Sequence, residues 1–301
     1  MSAMDAYDVV VIGGGAAGLN AALVLGRARR RVAVVDAGEP RNAPAAHLQG
    51  FLSRDGMPPA ELLAVGRAEV TGYGGVIVPG RVTAIEPGFT VRLADGPALS
   101  ARRILVATGL RDDLPELPGL AELWGRDVLH CPYCHGWEVR DQAIGVLATD
   151  ERAVHQALLV KQWSDDVVLL AHAYAPTAED RRRLDARRVP VVEGPVAGLV
   201  TEDGRLRGVR LGSGRIVERS ALFVAPRFVP IDELLRDLGC VVENGLVKVD
   251  AFGRTSVDGV WAAGNVVLPM ASVVMAAAAG AAAAMVVNGD LVDADVRAAL
   301  G

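Results

Sequence analysis

Six residues, Gly13-Gly14-Gly15-Ala16-Ala17-Gly18, set the architecture of the chain. They follow an apolar run, residues 7–12, that is typical of a fully buried strand, and a helical pattern comes after them. In such a turn Gly13 permits a tight backbone bend, Gly15 lets a phosphate approach the backbone, and Gly18 lets helix and strand pack closely. The stretch therefore predicts a dinucleotide site at the start of a parallel sheet.

The residues that follow strengthen this prediction. A second apolar run, residues 32–35, ends at Asp36, about 20 residues after the glycines, where a carboxylate can bind ribose hydroxyls. A glycine pattern alone is weak, but here strand, helix, second strand and acid all occur in order. Residues 38–56 form a long polar loop rich in Gly and Pro, which we interpret as a segment that wraps a cofactor.

Composition excludes several classes of partner. The 301 residues are 51% hydrophobic, enough for two domains with cores, and the net charge is 31 − 36 = −5 with no basic block. Nucleic acid and anionic membrane surfaces are therefore not expected partners. Residues 271–287 carry no charge, but they are mostly Ala, so we predict a buried helix and not a membrane span.

The stretch with the most chemistry is His130-Cys131-Pro132-Tyr133-Cys134-His135-Gly136. Two thiols three positions apart can close a disulfide across one helical turn, and a thiol at a helix N-terminus is activated for exchange. The alternative, half of a zinc site, requires a second pair of ligands. The remaining candidates are unpaired in the sequence: Cys240, His47, His155 and His172. We predict a redox pair and no metal.

Cysteine usage also predicts the compartment. Three cysteines, two of them in one motif, do not make a secreted disulfide framework, and no basic segment precedes Tyr7 as in a signal peptide. We therefore expect a cytoplasmic protein. Cys240 follows a Leu-rich segment and is interpreted as a buried apolar residue.

Proline-marked linkers predict two domains. One linker contains Pro115 and Pro118, the other Pro226 and Pro230, and they bracket a block with its own α/β alternation. The predicted fold class is α/β, with two Rossmann-like (three-layer ββα) domains. Residues 1–113 and 242–301 form the first domain, which residues 114–241 interrupt.

The turn of the inserted domain reads Ala148-Thr149-Asp150-Glu151-Arg152-Ala153, between a predicted strand and helix. A nucleotide-binding turn requires Gly at its first and third positions, where Ala148 and Asp150 stand. A Cβ at each position crowds a pyrophosphate, and the carboxylates of Asp150 and Glu151 repel it. We predict lost or weakened pyridine-nucleotide binding. A tolerant variant turn that still binds NADPH through its backbone amides is the alternative.

The order of these motifs, with Ala107-Thr108-Gly109 and Gly264-Asn265, resembles the low-molecular-weight thioredoxin reductases over essentially the whole chain. That resemblance implies FAD in the first domain, a degenerate NADPH-type second domain, and a homodimer. The stretches Cys131–Glu138 and Gly264-Asn265 are more similar to thioredoxin-reductase-like flavoproteins that oxidise small dithiols, the gliotoxin and holomycin dithiol oxidases.

The motifs and the resemblance together imply a set of FAD contacts. They are Gly13, Gly15, Ala16, Ala17, Gly18, Asp36, Ala37, Arg41, His47, Val82, Ala107, Thr108, Gly109, Gly264, Asn265, Ser272 and Val273. The reductase pattern has Asp at position 265, but Asn also makes hydrogen bonds, so flavin binding should persist. A helix from about Ser272 would aim its N-terminal amides at the flavin.

The resemblance also assigns roles to the redox stretch. It implies that Cys134 lies against the flavin and that Cys131 is the exchange thiol facing substrate. His135 stands where reductases carry an acidic residue, and an imidazole with an ordinary pKa near 6.5 suits a base that deprotonates an incoming thiol. A helix-surface histidine is the alternative for His135, and His130 can be structural or functional.

These observations predict an FAD-dependent dithiol oxidase. A small-molecule dithiol, of the dithiolopyrrolone or epidithiol type that the resemblance implies, would leave with an intramolecular disulfide, and O₂ would take the electrons to give H₂O₂. A disulfide reductase fed by NADPH or ferredoxin is one alternative. A non-catalytic flavoprotein that senses redox state is the other.

Overall fold

The computed structural model describes residues 6–301, so the predicted absence of a signal peptide falls largely outside it. Two compact units divide the chain. The first comprises the residues up to Ala43, Met57–Arg111 and Phe228–Gly301, and the second comprises Pro44–Gly56 and Asp112–Arg227. Each unit contains a parallel sheet with helices, and the predicted pair of Rossmann-like α/β units is confirmed.

The strands, in chain order, are β1 (Ala6–Ile12), β2 (Val32–Asp36), β3 (Val76–Pro79), β4 (Val82–Glu86), β5 (Thr90–Leu93), β6 (Leu99–Val106), β7 (Leu110–Asp113), β8 (Val128–Leu129), β9 (Ile144–Ala148), β10 (Val167–Ala171), β11 (Val191–Glu193), β12 (Val196–Glu202), β13 (Arg205–Leu211), β14 (Ile216–Glu218), β15 (Ala221–Val224), β16 (Arg227–Pro230), β17 (Val242–Glu243), β18 (Leu246–Val247) and β19 (Val260–Ala262). The helices are α1 (Ala16–Arg27), α2 (Pro59–Gly72), α3 (Pro132–His135), α4 (Arg152–Val160), α5 (Ala178–Ala186), α6 (Glu233–Asp237) and α7 (Val273–Leu300), with short 3₁₀ turns at Ala121–Leu123 and Gly264–Val266.

The sheet of the first unit has the order β3-β2-β1-β6-β5-β4, and β19 also pairs with β6. Strands β1, β2, β3, β6 and β19 run parallel, with Val10 opposite both Ala33 and Ile104. These apolar strands are covered on both faces, as a parallel sheet requires. Their carboxyl ends meet at one edge, which is where ligands bind in such sheets.

Helix α7 packs so closely on α1 that their backbones are in contact at Gly280 and Ala17. A Cβ placed on Gly280 would lie 2.0 Å from the carbonyl oxygen of Ala17, and the side-chain amide of Asn20 donates to the carbonyl of Ala277 at 2.7 Å. Small residues on α7 are therefore required for this contact. By length and composition α7 is the one described helix that could cross a membrane, but its buried face belongs to the core that it forms with α1.

The second unit has a parallel sheet with the order β11-β10-β9-β15-β8 and an antiparallel sheet of β12, β13 and β14. Asp127 links them: its buried carboxylate accepts hydrogen bonds from the guanidinium of Arg205 at 2.7–3.0 Å and from the backbone of Leu206 at 2.8 Å. Burial raises the pKa of Asp127, but these hydrogen bonds outweigh it and the pKa lies below its ordinary value.

The unit boundaries differ from the predicted ranges in two places. Residues 228–241, placed in the inserted domain by the linker prolines, pack with the first unit because Leu235 and Cys240 are buried in its core. Residues 44–56, predicted as part of the first domain, pack with the second. There Pro44 lies against Gly125, and the Gln49 amide donates to Glu138 at 3.1 Å.

Candidate functional site

The first glycine turn closes only with glycine at two positions. Gly13 has φ +109°, and a Cβ there would lie 2.3 Å from the carbonyl oxygen of Ala107. A Cβ on Gly18 would lie 1.8 Å from the carbonyl oxygen of Gly13. The Gly13 amide donates to the Val35 carbonyl at 2.8 Å, which ties the turn to β2. These contacts are the physical reason for the glycine spacing.

The outer side of the same turn is open. Gly15 is the N-cap of α1, a Cβ placed on it would meet no atom within 4 Å, and no side chain caps the helix. The first-turn amides of α1 therefore point at an accessible surface with the positive end of the helix dipole behind them. These residues fit the pyrophosphate of a dinucleotide.

Asp36 is held beside this cradle at the end of β2. One carboxylate oxygen accepts from the backbone amides of Gly14 at 3.2 Å and Gly38 at 3.3 Å, and the other lies 3.7 Å from the Arg67 guanidinium. The carboxylate thus stands where the sequence predicts a ribose contact. Its role in binding remains a prediction.

The other predicted cofactor residues of the first unit follow the ends of neighbouring parallel strands. Ala107, Thr108 and Gly109 follow β6, and Gly264 and Asn265 follow β19, which pairs with β6. The Thr108 hydroxyl donates to the Ile231 carbonyl at 2.6 Å. Ser272 is the N-cap of α7, directly before Val273.

Asn265 makes a connection that the sequence did not reveal. Its side-chain NH₂ donates to the carbonyls of Leu268, Pro269 and Ala271 at 3.1, 3.2 and 2.9 Å. An aspartate carboxylate at this position could only accept, and would face three carbonyl oxygens. Asn265 therefore holds the segment that leads into α7, a role that the amide performs and the acid of the reductase pattern cannot.

Four predicted cofactor residues lie apart from the glycine turn in sequence. Ala37 is exposed, Val82 is half-buried in β4, and the Arg41 guanidinium stacks 5.0 Å from the Phe228 ring centroid. His47 is exposed and belongs to the second unit. Their contacts with a cofactor remain predictions.

In the turn of the second unit, the carboxylate of Asp150 binds the backbone amide at the start of helix α4. One carboxylate oxygen of Asp150 accepts from the Arg152 backbone amide at 2.9 Å and from the Arg152 guanidinium at 3.0 Å. Hydrogen bonding from Arg152 lowers the pKa of Asp150, so it is an anion at neutral pH. The amide at the start of α4 thus binds a carboxylate of the chain, where a nucleotide phosphate would otherwise bind.

The surroundings of this turn do not restore a phosphate site. A shallow depression is lined by Thr149, Asp150, Glu151, Arg152 and Tyr174, and the Tyr174 hydroxyl donates to Asp180 at 2.7 Å. His172, directly after β10, accepts the Val196 backbone amide on Nδ1 at 3.0 Å, and burial lowers its pKa. The residue directly after β10 is therefore a neutral ring, which offers a phosphate no positive charge.

The redox pair lies on one helical turn. Cys131 is the N-cap of α3 with φ −95° and ψ 113°, and its carbonyl accepts the backbone amides of Cys134 and His135, each at 3.1 Å. Both cysteine side chains are half-buried. Both thiols and the neighbouring imidazole therefore lie within one helical turn, with only Cys134 and His135 on consecutive positions.

His135 has the properties of a base. Its side chain is half-buried, and burial lowers its pKa below the ordinary 6.5, with the nearby carboxylate of Glu138 opposing the shift. The ring is therefore neutral at pH 7 and can accept a proton. Glu138 is itself held by the amide of Gln49 at 3.1 Å.

Exposed aromatic rings flank the redox pair. Tyr133 is 72% and Trp137 is 65% exposed. The Tyr133 ring meets Trp163 edge-on with centroids 5.6 Å apart, and Arg140 stacks 4.1 Å above Trp137. Sequence reasoning assigned these rings no role, although their spacing around the cysteines places them on the same turn. Both exposed rings lie close to the cysteines in the sequence.

The remaining candidates for chemistry are structural. Cys240 is buried in the core of the first unit, and burial raises the pKa of its thiol. Among residues 6–301, no three His, Cys, Asp or Glu side chains gather as metal ligands would.

A model of the pyridine nucleotide-disulphide oxidoreductase family matches residues 7–283. The chain belongs to this family. The family comprises typically flavin-dependent disulfide oxidoreductases. The resemblance to thioredoxin-reductase-like flavoproteins predicted from the motifs is confirmed.

Individual relatives are similar over nearly the full length. The chain is 32% identical over 315 residues to thioredoxin reductase sirT of Leptosphaeria maculans, covering 97% of this chain and 96% of the relative. It is 33% identical to thioredoxin reductase tcpT of Claviceps purpurea, with 88% of each covered.

Solved structures show the same fold. The crystal structure of HlmI is 58% identical with a TM-score of 0.96, covering 100% of this chain and 96% of that one. The putative thioredoxin reductase TrxB from Bacillus anthracis is 33% identical with a TM-score of 0.92, covering 96% and 99%.

Proposed function

We propose that the chain is an FAD-dependent dithiol oxidase that closes an intramolecular disulfide in a small-molecule dithiol, with O₂ as the electron acceptor. One observation carries the proposal: Asp150 occupies the nucleotide turn of the second unit, while the redox pair and its histidine are intact. Such a chain retains the parts that exchange disulfides and lacks the part that binds a pyridine nucleotide.

The residues that would hold FAD are those of the first unit. The open amides at Gly15 and Ala16 suit the pyrophosphate, Asp36 suits a ribose, and the segment held by Asn265 leads to the N-terminus of α7. Bound FAD supplies the two-electron chemistry that returns the reduced pair to its disulfide and converts O₂ to H₂O₂.

The cysteine pair performs two exchange steps. A substrate thiolate attacks the sulfur of Cys131 in the Cys131–Cys134 disulfide, and Cys134 leaves as a thiolate. The second substrate thiolate then attacks the substrate sulfur of the mixed disulfide, and Cys131 leaves. The substrate has lost two electrons and two protons, its own S–S bond has formed, and the enzyme pair has gained the two electrons.

His135 supplies the proton acceptor for these steps. A thiol must become a thiolate before it attacks, and at neutral pH most small-molecule thiols are protonated. Because its pKa is lowered, His135 is neutral and can take that proton. A carboxylate at the same position would be a poorer acceptor at pH 7.

The proposed substrates are small apolar dithiols. The exposed rings of Tyr133 and Trp137, close to the cysteines in the sequence, suit a compact heterocycle better than a highly charged partner. A dithiolopyrrolone or epidithiol natural product meets this description and agrees with the predicted resemblance.

A second candidate function is disulfide reduction with electrons from NADPH or a ferredoxin. The observation in its favour is that sirT and tcpT carry the name thioredoxin reductase. Asp150 in the second turn argues against NADPH as the donor.

An anaerobic titration separates the two candidates. The purified flavoprotein receives either NADPH or a small dithiol while the flavin absorbance is followed, and air is then admitted. We expect bleaching by the dithiol alone, with recovery and one H₂O₂ per dithiol on aeration. Stoichiometric bleaching by NADPH would establish the reductase instead.

The variant Cys134→Ser tests the exchange mechanism. This variant retains the flavin cradle, so its flavin content should equal that of the wild type, but the dithiol should no longer bleach it. A fully active Cys134→Ser protein would refute the exchange mechanism.

We also propose that the protein is a homodimer. Helix α7 carries exposed apolar side chains along one face: Met275, Met285, Val292 and Val296. Such a stripe on a soluble oxidoreductase suits a symmetric contact with a second copy. Light scattering should give twice the mass of one chain, and Met285→Glu should give the single mass.

A further inference from the structure

The residue before the exchange thiol is held on both sides. His130 links the end of β8 to Cys131, the N-cap of α3, and it is half-buried. Its backbone carbonyl belongs to the peptide bond with Cys131. The orientation of this peptide unit therefore fixes where the Cys131 backbone, and hence its side chain, begins.

Gln156 binds that carbonyl from helix α4. Its side-chain NH₂ donates to the His130 carbonyl oxygen at 2.8 Å, and the residue is only 8% exposed. The other buried residues of α4 are all apolar: Ala153, Val154, Ala157 and Val160. An amide on such a face carries a desolvation cost, and no donor in the described chain satisfies its Oε1. Packing of α4 alone would favour an apolar residue here.

The His130 ring adds a second attachment. Its Nδ1 lies 3.2 Å from the carbonyl oxygen of Val224, the last residue of β15. Because a carbonyl oxygen only accepts hydrogen bonds, Nδ1 must carry the proton in this contact. The ring is thus tied to the sheet through Nδ1–H, and β15 pairs with β8, the strand that ends just before His130.

The two attachments and the turn that follows form one connected arrangement. Gln156 holds the His130 carbonyl, Val224 holds the His130 ring, and the Cys131 carbonyl is occupied by the amides of Cys134 and His135. The backbone on both sides of Cys131 is therefore fixed relative to β15 and α4. Thiol–disulfide exchange requires three sulfurs in line, so fixing the central one promotes the reaction.

We propose that Gln156 and His130 are positioning residues for the Cys131 thiol, and this inference deepens the proposed function, on which it rests. Neither residue reacts with substrate. Together they hold the exchange thiol at the spacing from Cys134 at which the disulfide closes.

The test uses Gln156→Met, which keeps the length of the side chain and removes its donor. Because Gln156 is proposed to hold Cys131 at the spacing at which the disulfide closes, losing its hydrogen bond should weaken the disulfide, and the equilibrium of the Cys131–Cys134 pair with glutathione should shift about tenfold toward the dithiol. The alkylation rate of reduced Cys131 against pH, followed by peptide mass spectrometry, should change as well. Gln142→Met is the matched control, since the Gln142 amide donates to the Glu138 carbonyl at 3.4 Å at an exposed position of the same unit.

Gln156→Glu provides a rescue that depends on pH. A protonated carboxyl group donates to the His130 carbonyl as the amide does, whereas a carboxylate repels it. At low pH the glutathione equilibrium of this variant should match the wild type, and on raising the pH it should approach that of Gln156→Met. A merely structural role in packing α4 would produce no such crossover.

Wild-type values for Gln156→Met in both the glutathione equilibrium and the alkylation profile would overturn the proposal. So would an equal change in Gln142→Met. Neither measurement uses substrate turnover. If the wild type fails to oxidise any dithiol, the proposed function falls while the positioning of Cys131 is still decided by the equilibrium.

Discussion

The two mononucleotide turns of this chain share a topology and differ in what meets the start of the helix. At the first turn Gly15 leaves the N-terminus of α1 open, with no side chain capping it. At the second, Asp150 supplies its own carboxylate to the N-terminus of α4, reinforced by Arg152. One turn attracts an external anion, and the other has satisfied that attraction internally.

The difference shows that two Rossmann-like units can share a fold while their helix termini meet different groups. Strands β9 and β10 are fully buried and parallel, and α4 covers them. The two turns differ by one charge within hydrogen-bond distance of the helix terminus. The second unit also carries the cysteine pair.

The largest effect is expected when the acid of the second turn is copied into the first. Gly15→Asp has space for its side chain, so the fold should survive, but its carboxylate would oppose the pyrophosphate. Flavin affinity should fall on the order of a hundredfold, because a favourable interaction of about 1.4 kcal/mol is replaced by a repulsion of similar size. Flavin content after gel filtration measures this. Gly15→Ala is the control, and unchanged flavin content in Gly15→Asp would mean that the first turn does not hold the cofactor.

The second unit should depend for stability on the link between its sheets and not on its turn. Asp127→Ala removes the buried acceptor of Arg205 and Leu206, and we expect a loss of about 2 kcal/mol in the free energy of unfolding. Because the pKa of Asp127 is lowered on folding, its contribution is present above the unfolded pKa and disappears as the pH falls through the folded value. Urea unfolding at pH 7 and near pH 3 should therefore show the difference shrinking in acid. A constant difference would contradict this account.

Removing the acid from the second turn should restore part of a nucleotide site. In Asp150→Gly the first-turn amide of α4 loses its internal partner, and NADPH should bind about tenfold more tightly than to the wild type, as expected for a helix-terminus charge effect. Equilibrium dialysis measures the change. Asp185→Asn, on the exposed surface of α5, controls for charge alone. If dialysis shows no gain, Ala148 and the surrounding walls exclude the nucleotide without help from Asp150.

The smallest expected effect concerns His135, the proposed proton acceptor. Glu138 raises the pKa of His135 against burial, so Glu138→Gln should lower that pKa further. Because neutral His135 is the active form, the acid limb of the pH profile for dithiol oxidation should move to lower pH, with little change at pH 8. A rate–pH profile at saturating dithiol tests this. Movement to higher pH would show that His135 is not the group that titrates.

Much of this organisation follows from local pattern. The glycine turn, the buried strands and helix α3 depend on residues within a few positions of one another. Their predicted places agree with the observed elements. Helix α1 begins within the glycine stretch itself, and not after it, because Gly15 acts as the N-cap and Ala16 and Ala17 are good helix formers. The charge conflict at Asp150 was also predictable, since it lies within its own turn.

What the sequence could not reveal depends on contacts between distant residues. The hydrogen bond from Gln156 to His130 joins positions on different elements, and a helical sequence pattern does not predict it. The hydrogen bonds of Asn265 depend on how the chain after it turns. The packing of residues 44–56 with the second unit likewise comes from tertiary contact, while the linker prolines mark only flexible places.

The contact of Gly280 with Ala17 also determines when the first unit can complete its core during synthesis. Helix α1 is synthesised long before α7, so the apolar side of α1 has no cover until α7 has been made. The inserted residues 112–227 are complete well before that point. A nascent chain arrested before residue 273 should therefore carry a folded second unit and an incomplete first unit. A prematurely terminated product would expose the uncovered α1 surface to the proteases that clear incomplete proteins.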